Sequence, residues 1–376
     1  MTQVALRRCM SYDPREVRGA VEAALLSAAG GSAACGTADL AGKRVLLKPN
    51  LAAARRPERG VTTHPEVVGA AIDFFRDRGC TVAVGDSPSG AVRGVKRVWE
   101  NTGMEAICRS RGATLVNFEA SGWNEREISG KTYRIVRALG DFDLVVSIPK
   151  FKTHVLTMIT GAVKNLYGCV PGFGKSALHL ANPRPAPMSK VLVDVFSIAK
   201  PWLNLVDAVE AMEGNGPSSG EVRCVGLIAA SSDAVALDAV LARIVGLDPL
   251  AVPTTREAAR RGLGTARMEE IAIDGDPLET FAAGDFKIPS NWYLGLIPDR
   301  LAHLLLRWFW VKPRVLEERC TRCGDCARIC AASAIEIGER GALLNREKCV
   351  SCLCCIEACP AGALEPQHSR LARFVS

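Results

Sequence analysis

The sequence predicts an α/β fold: a mainly parallel, doubly wound sheet domain followed by a small α+β, cysteine-rich domain. Three observations carry this. Short apolar runs alternate with longer amphipathic ones up to about residue 275. Strands alternating with helices imply a mainly parallel sheet covered on both faces. Of 15 cysteines in 376 residues, nine fall between Cys320 and Cys359. The length allows about two or three domains at roughly 100–200 residues each. The boundaries read as a sheet domain over 1–290, a helical connector over 291–313 and the cysteine domain over 314–376.

The elements follow in order. Strands are predicted at 44–47, 81–85, 114–118, 143–148, 203–206, 225–230 and 269–273. Thr63-His64-Pro65-Glu66 reads as a capping box with proline in the first turn, opening a helix to about Arg78. Residues 189–200 and 233–245 have helical periodicity, and 125–136 reads as a hairpin turning at Ser129-Gly130. Residues 166–187, rich in glycine and proline, read as a long loop over the sheet. Residues 291–313 read as an aromatic, apolar helix docking on the main domain, with a weaker claim as a membrane-surface or partner contact.

Composition excludes several classes. With 48% hydrophobic and 23% charged residues the chain has material for a full core and is not disordered. No apolar leader precedes residue 14, and the apolar stretch 225–247 is interrupted by Asp233, Asp238 and Arg243. The expectation is therefore a cytoplasmic protein without a transmembrane segment, with reduced thiols. The formal charge of +7 is scattered and only 6% of residues are aromatic, so nucleic acid is not an expected partner.

The cysteines run Cys320-x2-Cys323-x2-Cys326-x3-Cys330, then Cys349-x2-Cys352-x2-Cys355-x3-Cys359-Pro360. In this spacing three thiolates of each run surround one [4Fe-4S] cubane and the fourth crosses to the other. The expected sets are Cys320, Cys323, Cys326 and Cys359 for cluster one, and Cys330, Cys349, Cys352 and Cys355 for cluster two. A pair of zinc sites is the bland alternative. Residues 316–366 resemble a bacterial-type ferredoxin with two [4Fe-4S] clusters, so the small domain is expected to be ferredoxin-like. Ala331 stands where that pattern usually has proline, which should alter the local turn but not ligation. Cys354 is an extra thiol, either competing ligand or spectator.

Ligands in parallel sheets bind beyond the carboxyl ends of strands. Just past the predicted strands come Lys48 and Asn50, then Asp86 and Ser87, then Lys150, Lys152 and His154, then Asp207, Glu210 and Glu213, then Ser231 and Asp233. Parallel strands would gather all five groups on one edge. The bland readings are a helix cap for Asp233 and for His64, a turn for Asp86, and a solvated acidic face for Asp207 and Glu213. The lysines stand out. The chain has 34 Arg and 13 Lys, yet between residues 139 and 184 the basic side chains other than histidine are Lys150, Lys152, Lys164 and Lys175. Lysine is a compact charge whose pKa falls on burial, so the group reads as an anion or carbonyl site. Gly168 through Lys175-Ser176 ends like a phosphate loop, but Cys169 stands where the first glycine belongs.

The segments VLLKPNL (45–51), TTHPEVV (62–68), VGDSP (84–88), SIPKFKTH (147–154), ITGAVKNLYG (159–168) and VDAVEAMEGNGP (206–217) resemble a bacterial and archaeal family catalogued as a domain of unknown function, often fused to a ferredoxin. The resemblance implies Lys48, Asn50, His64, Asp86, Lys150, Lys152, His154, Lys164, Asn165, Glu213 and Asp233 as positions to test.

The functional expectation is an iron–sulfur reductase. An external donor protein would pass electrons through two [4Fe-4S] clusters to an anionic or carbonyl-bearing small molecule. Lys150, Lys152 and Lys164 would hold it, His154 would deliver protons, and Asn50, Asn165, Lys175, Asp86, Asp207 and Glu213 would orient it or a divalent ion. No flavin or nicotinamide fingerprint is present, which leaves room for a second cofactor the sequence does not advertise. The alternatives are a non-catalytic electron-transfer or assembly partner, and a ligase or transferase using the acidic loops.

Overall fold

The computed structural model describes residues 1–30, 39–88, 94–289 and 310–369. The centre of the sheet is built from buried apolar runs too continuous for a one-sided strand. These are β2 (Arg44–Pro49), β3 (Thr81–Asp86) and β7 (Leu144–Ile148). Strand β2 pairs in parallel with β3 and β7, and β3 pairs in parallel with β4 (Thr114–Asn117). On the other side come β10 (Leu203–Glu213), β11 (Glu221–Ser231), β1 (Thr2–Arg8) and β12 (Ile271–Gly275). The order is β12-β1-β11-β10-β7-β2-β3-β4. Only β11 runs against its neighbours along this path. Two further strands lie off this path: β8 (Lys150–His154) pairs with β10, and β9 (Met158–Thr160) pairs with β8. The predicted hairpin forms as β5 (Trp123–Ile128) and β6 (Lys131–Val136).

Both faces are covered, as alternation requires. One face carries α1 (Pro14–Gly30), α2 (Pro65–Arg76), α3 (Val95–Asn101) and α4 (Met104–Arg111). The other carries α5 (Ala162–Asn165), α7 (Pro185–Ala199), α8 (Ala234–Ile244) and α9 (Pro253–Arg260). Residues 166–187 are not one long loop. They contain α6 (Gly174–Ala181), whose Lys175, Ser176 and His179 are buried. Tertiary burial overrides the glycine and proline content there.

The cysteine region is a separate α+β unit. Strand β13 (Val311–Val315) pairs antiparallel with β16 (Leu364–His368), so the two ends of the unit meet. Strands β14 (Ile335–Gly338) and β15 (Gly341–Leu344) form a hairpin between two short helices, Asp325–Arg328 and Cys354–Ala358. The predicted helix over 291–313 lies outside the described residues up to position 309. Its last three residues belong to β13 instead, where Lys312 and Pro313 pair with Gln367 and Pro366. Among the described residues no helix is long and apolar enough to cross a membrane.

Candidate functional site

The site begins where the chain leaves β7. Pro149 turns it directly into β8, so Lys150, Lys152 and His154 lie on a strand rather than on a loop. Side chains two apart in a strand share a face, so K-x-K-x-H presents all three together. Strand β10 is long enough to serve both neighbours, pairing with β7 at Leu203 and with β8 at Asp207 and Met212. All three β8 side chains are buried.

Buried charge must be paired, and most of it is. Lys48 Nζ lies 2.7 Å from Asp86 Oδ1, while Asp86 Oδ2 accepts from the Leu51 amide at 2.8 Å. Gly168 packs against this pair, and a Cβ there would sit 2.1 Å from Asp86 Oδ1. Lys150 Nζ donates to Asp207 Oδ2 (3.0 Å) and the Tyr12 hydroxyl (2.6 Å). Asp207 also accepts from the Tyr12 hydroxyl and the His64 amide. Lys152 donates to Asn50 Oδ1 (3.1 Å) and the Val61 carbonyl (2.6 Å). Asn50 in turn donates to Asn165, which ties β2 to β7 through Lys48 O and Ser147 Oγ. Lys175 donates to Ser87 Oγ and to the Val170 carbonyl, turned away from any phosphate-loop geometry.

Several expected site residues are therefore structural. Lys150 and Asp207 form an interior ion pair, and Asp207 is fully buried rather than solvated. Asp86 anchors Lys48 and the chain after β2. His64 caps α2 through Nδ1 and stacks on the Tyr12 ring at 3.6 Å. Glu213 pairs with Arg223 and Lys287. Asp233 lies at the opposite edge, because β11 is antiparallel; it caps α8 and accepts from Thr265.

What the sequence did not reveal is the partner above this edge. The helix Cys354–Ala358 of the cysteine unit packs over it. Glu357 Oε1 lies 3.5 Å from His154 Nε2. Burial raises the Glu357 carboxyl, but His154, Lys164 and His179 hold it well below the carboxylate range. His154 Nδ1 accepts from the Leu156 and Thr157 amides, so its hydrogen sits on Nε2, toward Glu357. Acting as an acid would require a second proton on Nδ1, where two N–H groups already point. His154 is therefore held as a neutral ring facing Glu357, an arrangement that does not favour proton delivery from it. Its pKa is driven down to about 3, chiefly by burial.

Lys164 differs from the other lysines of this group. Among the described residues its amine has no hydrogen-bond or ion-pair partner. Its side chain keeps some exposed area, yet burial draws its pKa down, and Glu357 and Cys354 draw it partly back. Lys152, buried and beside Lys164, is lowered to about 7. His179 on α6 faces the same charges and packs edge-on against Tyr167.

The cysteines gather in two groups. Cys320, Cys323, Cys326 and Cys359 line one cavity. Cys330, Cys349, Cys352 and Cys355 line another, together with Cys354 and with Leu180 of α6. Burial and neighbouring thiols push Cys326 up to about 11. Such crowded thiols need a metal to deprotonate them, and sulfur-only donors suit iron–sulfur clusters. The turn after Cys330 is not altered by Ala331. Cys330 Sγ accepts from the Ala334 amide and Cys359 Sγ from the Ala363 amide, both at 3.2 Å. Ser333 takes the left-handed conformation that Gly362 takes in the other run.

The buried histidines predict a pH dependence. His64, His154 and His179 are lowered to about 4, 3 and 4, each chiefly by burial, from about 6.5 when unfolded. The unfolded chain takes up protons that the fold refuses, so stability falls as pH drops from 6.5 toward 4. Asp238, raised to about 7 by burial, acts in the opposite sense. At about 1.4 kcal/mol per unit, these four groups together lose roughly 2 kcal/mol between pH 7.5 and 5.5, and Lys152, lowered to about 7, deepens the loss. Anaerobic urea midpoints at the two pH values test this, and Asp238→Asn should steepen the fall. A flat profile in both proteins would contradict the burial of these rings.

Comparison with known proteins agrees with both halves of the chain. A family model described as a domain of unknown function (DUF362) matches residues 45–243, and one described as a 4Fe-4S dicluster domain matches 319–363. A thylakoid-associated protein of Synechocystis sp. is 35% identical over 298 residues, covering 76% of this chain and 91% of that protein. The lactate racemase apoprotein of Thermoanaerobacterium thermosaccharolyticum aligns with a TM-score of 0.41 and 16% identity, over 61% of this chain. The chain spans 54% of that protein, and the likeness is too slight to extend to chemistry. The extent of the first match and the coverage of the Synechocystis relative show that this chain belongs to the DUF362 family, with a 4Fe-4S dicluster domain at its C-terminal side.

Proposed function

We propose that the chain is an iron–sulfur reductase acting on an anionic or carbonyl-bearing small molecule bound between its two units. Cys320, Cys323, Cys326 and Cys359 would hold one [4Fe-4S] cluster, and Cys330, Cys349, Cys352 and Cys355 the other. When bound, the clusters supply one-electron transfer at low potential, drawn from an external donor protein. The observation that carries the reading is the seating of the helix Cys354–Ala358 over this edge, with Glu357 3.5 Å from His154 and acting on Lys164, whose amine pairs with none of the described residues. A cation held in a water-poor site stabilises negative charge developing on a substrate more strongly than it would in water. Lys152 suits proton delivery in place of His154. With a pKa of about 7 it is poised at neutral pH, and its two hydrogen bonds leave a third N–H hydrogen free. Lys48, Asn50 and Asn165 form the floor that fixes it.

The test uses reduced protein. Full-length chain is loaded anaerobically with dithionite, freed of excess, and mixed with panels of carboxylates and carbonyl compounds. Recovery of the oxidised absorbance reports turnover. Lys164→Ala should slow recovery by about a hundredfold, typical for losing one electrostatic donor, with iron content unchanged. Recovery at the wild-type rate would remove Lys164 from the site. A docking role without chemistry is favoured by the internally paired Lys48–Asp86 and Lys150–Asp207. It predicts that no compound reoxidises the wild-type protein while a redox partner protein does.

A further inference from the structure

Arg55 lies outside the lysine site and is otherwise unexplained. It follows β2, is only 7% exposed, and reaches across to the cysteine unit. Its Nη2 donates to the Cys359 carbonyl at 2.5 Å, and its buried Nε has no hydrogen-bond partner. Among the described residues no carboxylate pairs with it. Gly362 makes the room: a Cβ there would sit 2.9 Å from Arg55 Nη1. An isolated buried guanidinium costs several kcal/mol, so a compensating anion is needed beside it. The sulfur of Cys359, on the wall of the first cavity, is the nearest acidic group acting on it.

We propose that Arg55 is the counter-charge of the cluster held by Cys320, Cys323, Cys326 and Cys359, and that it raises that cluster's reduction potential. The inference rests on the ligand sets proposed above. An oxidised cubane with four thiolates carries about −2, and accepting one electron from an external donor takes it to about −3 with no bond made or broken. A fixed buried cation favours the more negative state. Near the second cavity Lys164 and Glu357 carry opposite charges, and Lys312, which acts on Cys349, is partly exposed and screened by water. The two clusters are therefore unequal, and the one at Cys359 depends on contact with the α/β domain.

The experiment is a potentiometric titration of the full-length, anaerobically reconstituted chain, followed by EPR, with iron and sulfide measured on each sample. Arg55→Met and Arg55→Gln should lower one of the two midpoints by a tenfold or greater change in the one-electron constant, about 59 mV. Arg55→Lys should restore most of it, and the second midpoint should stay in place. The shifted midpoint should be the one lost in Cys323→Ser. Unchanged midpoints in a neutral variant with full iron would overturn the proposal, as would equal shifts of both. If the neutral variants lose half their iron while Arg55→Lys keeps it, the counter-charge role stands. If Arg55→Lys loses it too, Arg55 acts by shape and the proposal fails. About four irons, or zinc, in the wild-type protein would instead strike at the ligand sets.

Discussion

Asp207→Ala is expected to destabilise the α/β domain by about 3–5 kcal/mol, the cost of leaving a buried partner charge uncompensated. Asp207 is fully buried near the middle of β10 and accepts from three donors: Tyr12, Lys150 and the His64 amide. Its removal leaves the Lys150 cation without a counter-ion and the cap of α2 without its anchor. The geometry shows Lys150 in an ion pair, and a second substitution separates that role from catalysis. Lys150→Met placed on Asp207→Ala should recover part of the loss, because the stranded charge is gone. Urea unfolding of the three proteins decides it. A single variant within about 1 kcal/mol of wild type would mean that water reaches the pair and that Lys150 is open to ligand after all.

The second large effect concerns iron. Cys355→Ser should lower iron from about eight to about four per chain, since a cubane that loses one of four thiolates is not retained. Cys354→Ser should leave it unchanged. Both thiols line the second cavity and are adjacent in the helix Cys354–Ala358. Neighbouring helical positions point roughly 100° apart, so both cannot face one iron equally. Cys354 acts on Lys164 and Tyr167 of the other unit, toward the domain boundary. The reverse outcome, with iron lost from Cys354→Ser and kept in Cys355→Ser, would exchange their roles. Because metal binding couples to folding, Cys355→Ser should also loosen the helix that carries Glu357 and weaken its seat over His154.

Much of this was legible in the sequence, for reasons that are local. Strands β2, β3 and β7 announced themselves because a strand buried on both faces must be apolar throughout. The eight-cysteine spacing announced two groups because ligation needs three thiolates on one tight turn. The period-2 pattern of Lys150, Lys152 and His154 was present too, but charged residues on a buried strand are rare enough that a loop was the natural reading. Residues 166–187 read as a loop because burial, not propensity, makes α6 a helix.

The sequence by itself determined the α/β class, the family, the cysteine pairing pattern and the unusual run of lysines, because each depends on spacing along the chain. Tertiary structure decided which lysines are free. That depends on partners far away in sequence: Asp207 for Lys150, Asp86 for Lys48, and Asn50 for Lys152. It also decided the direction of β11, which carried Asp233 to the far edge, and the docking of Glu357 over His154 and Lys164. Charge acts through space and is strongest where water is excluded. A residue's chemistry is thus fixed by its neighbours in the fold, and a linear sequence does not name them.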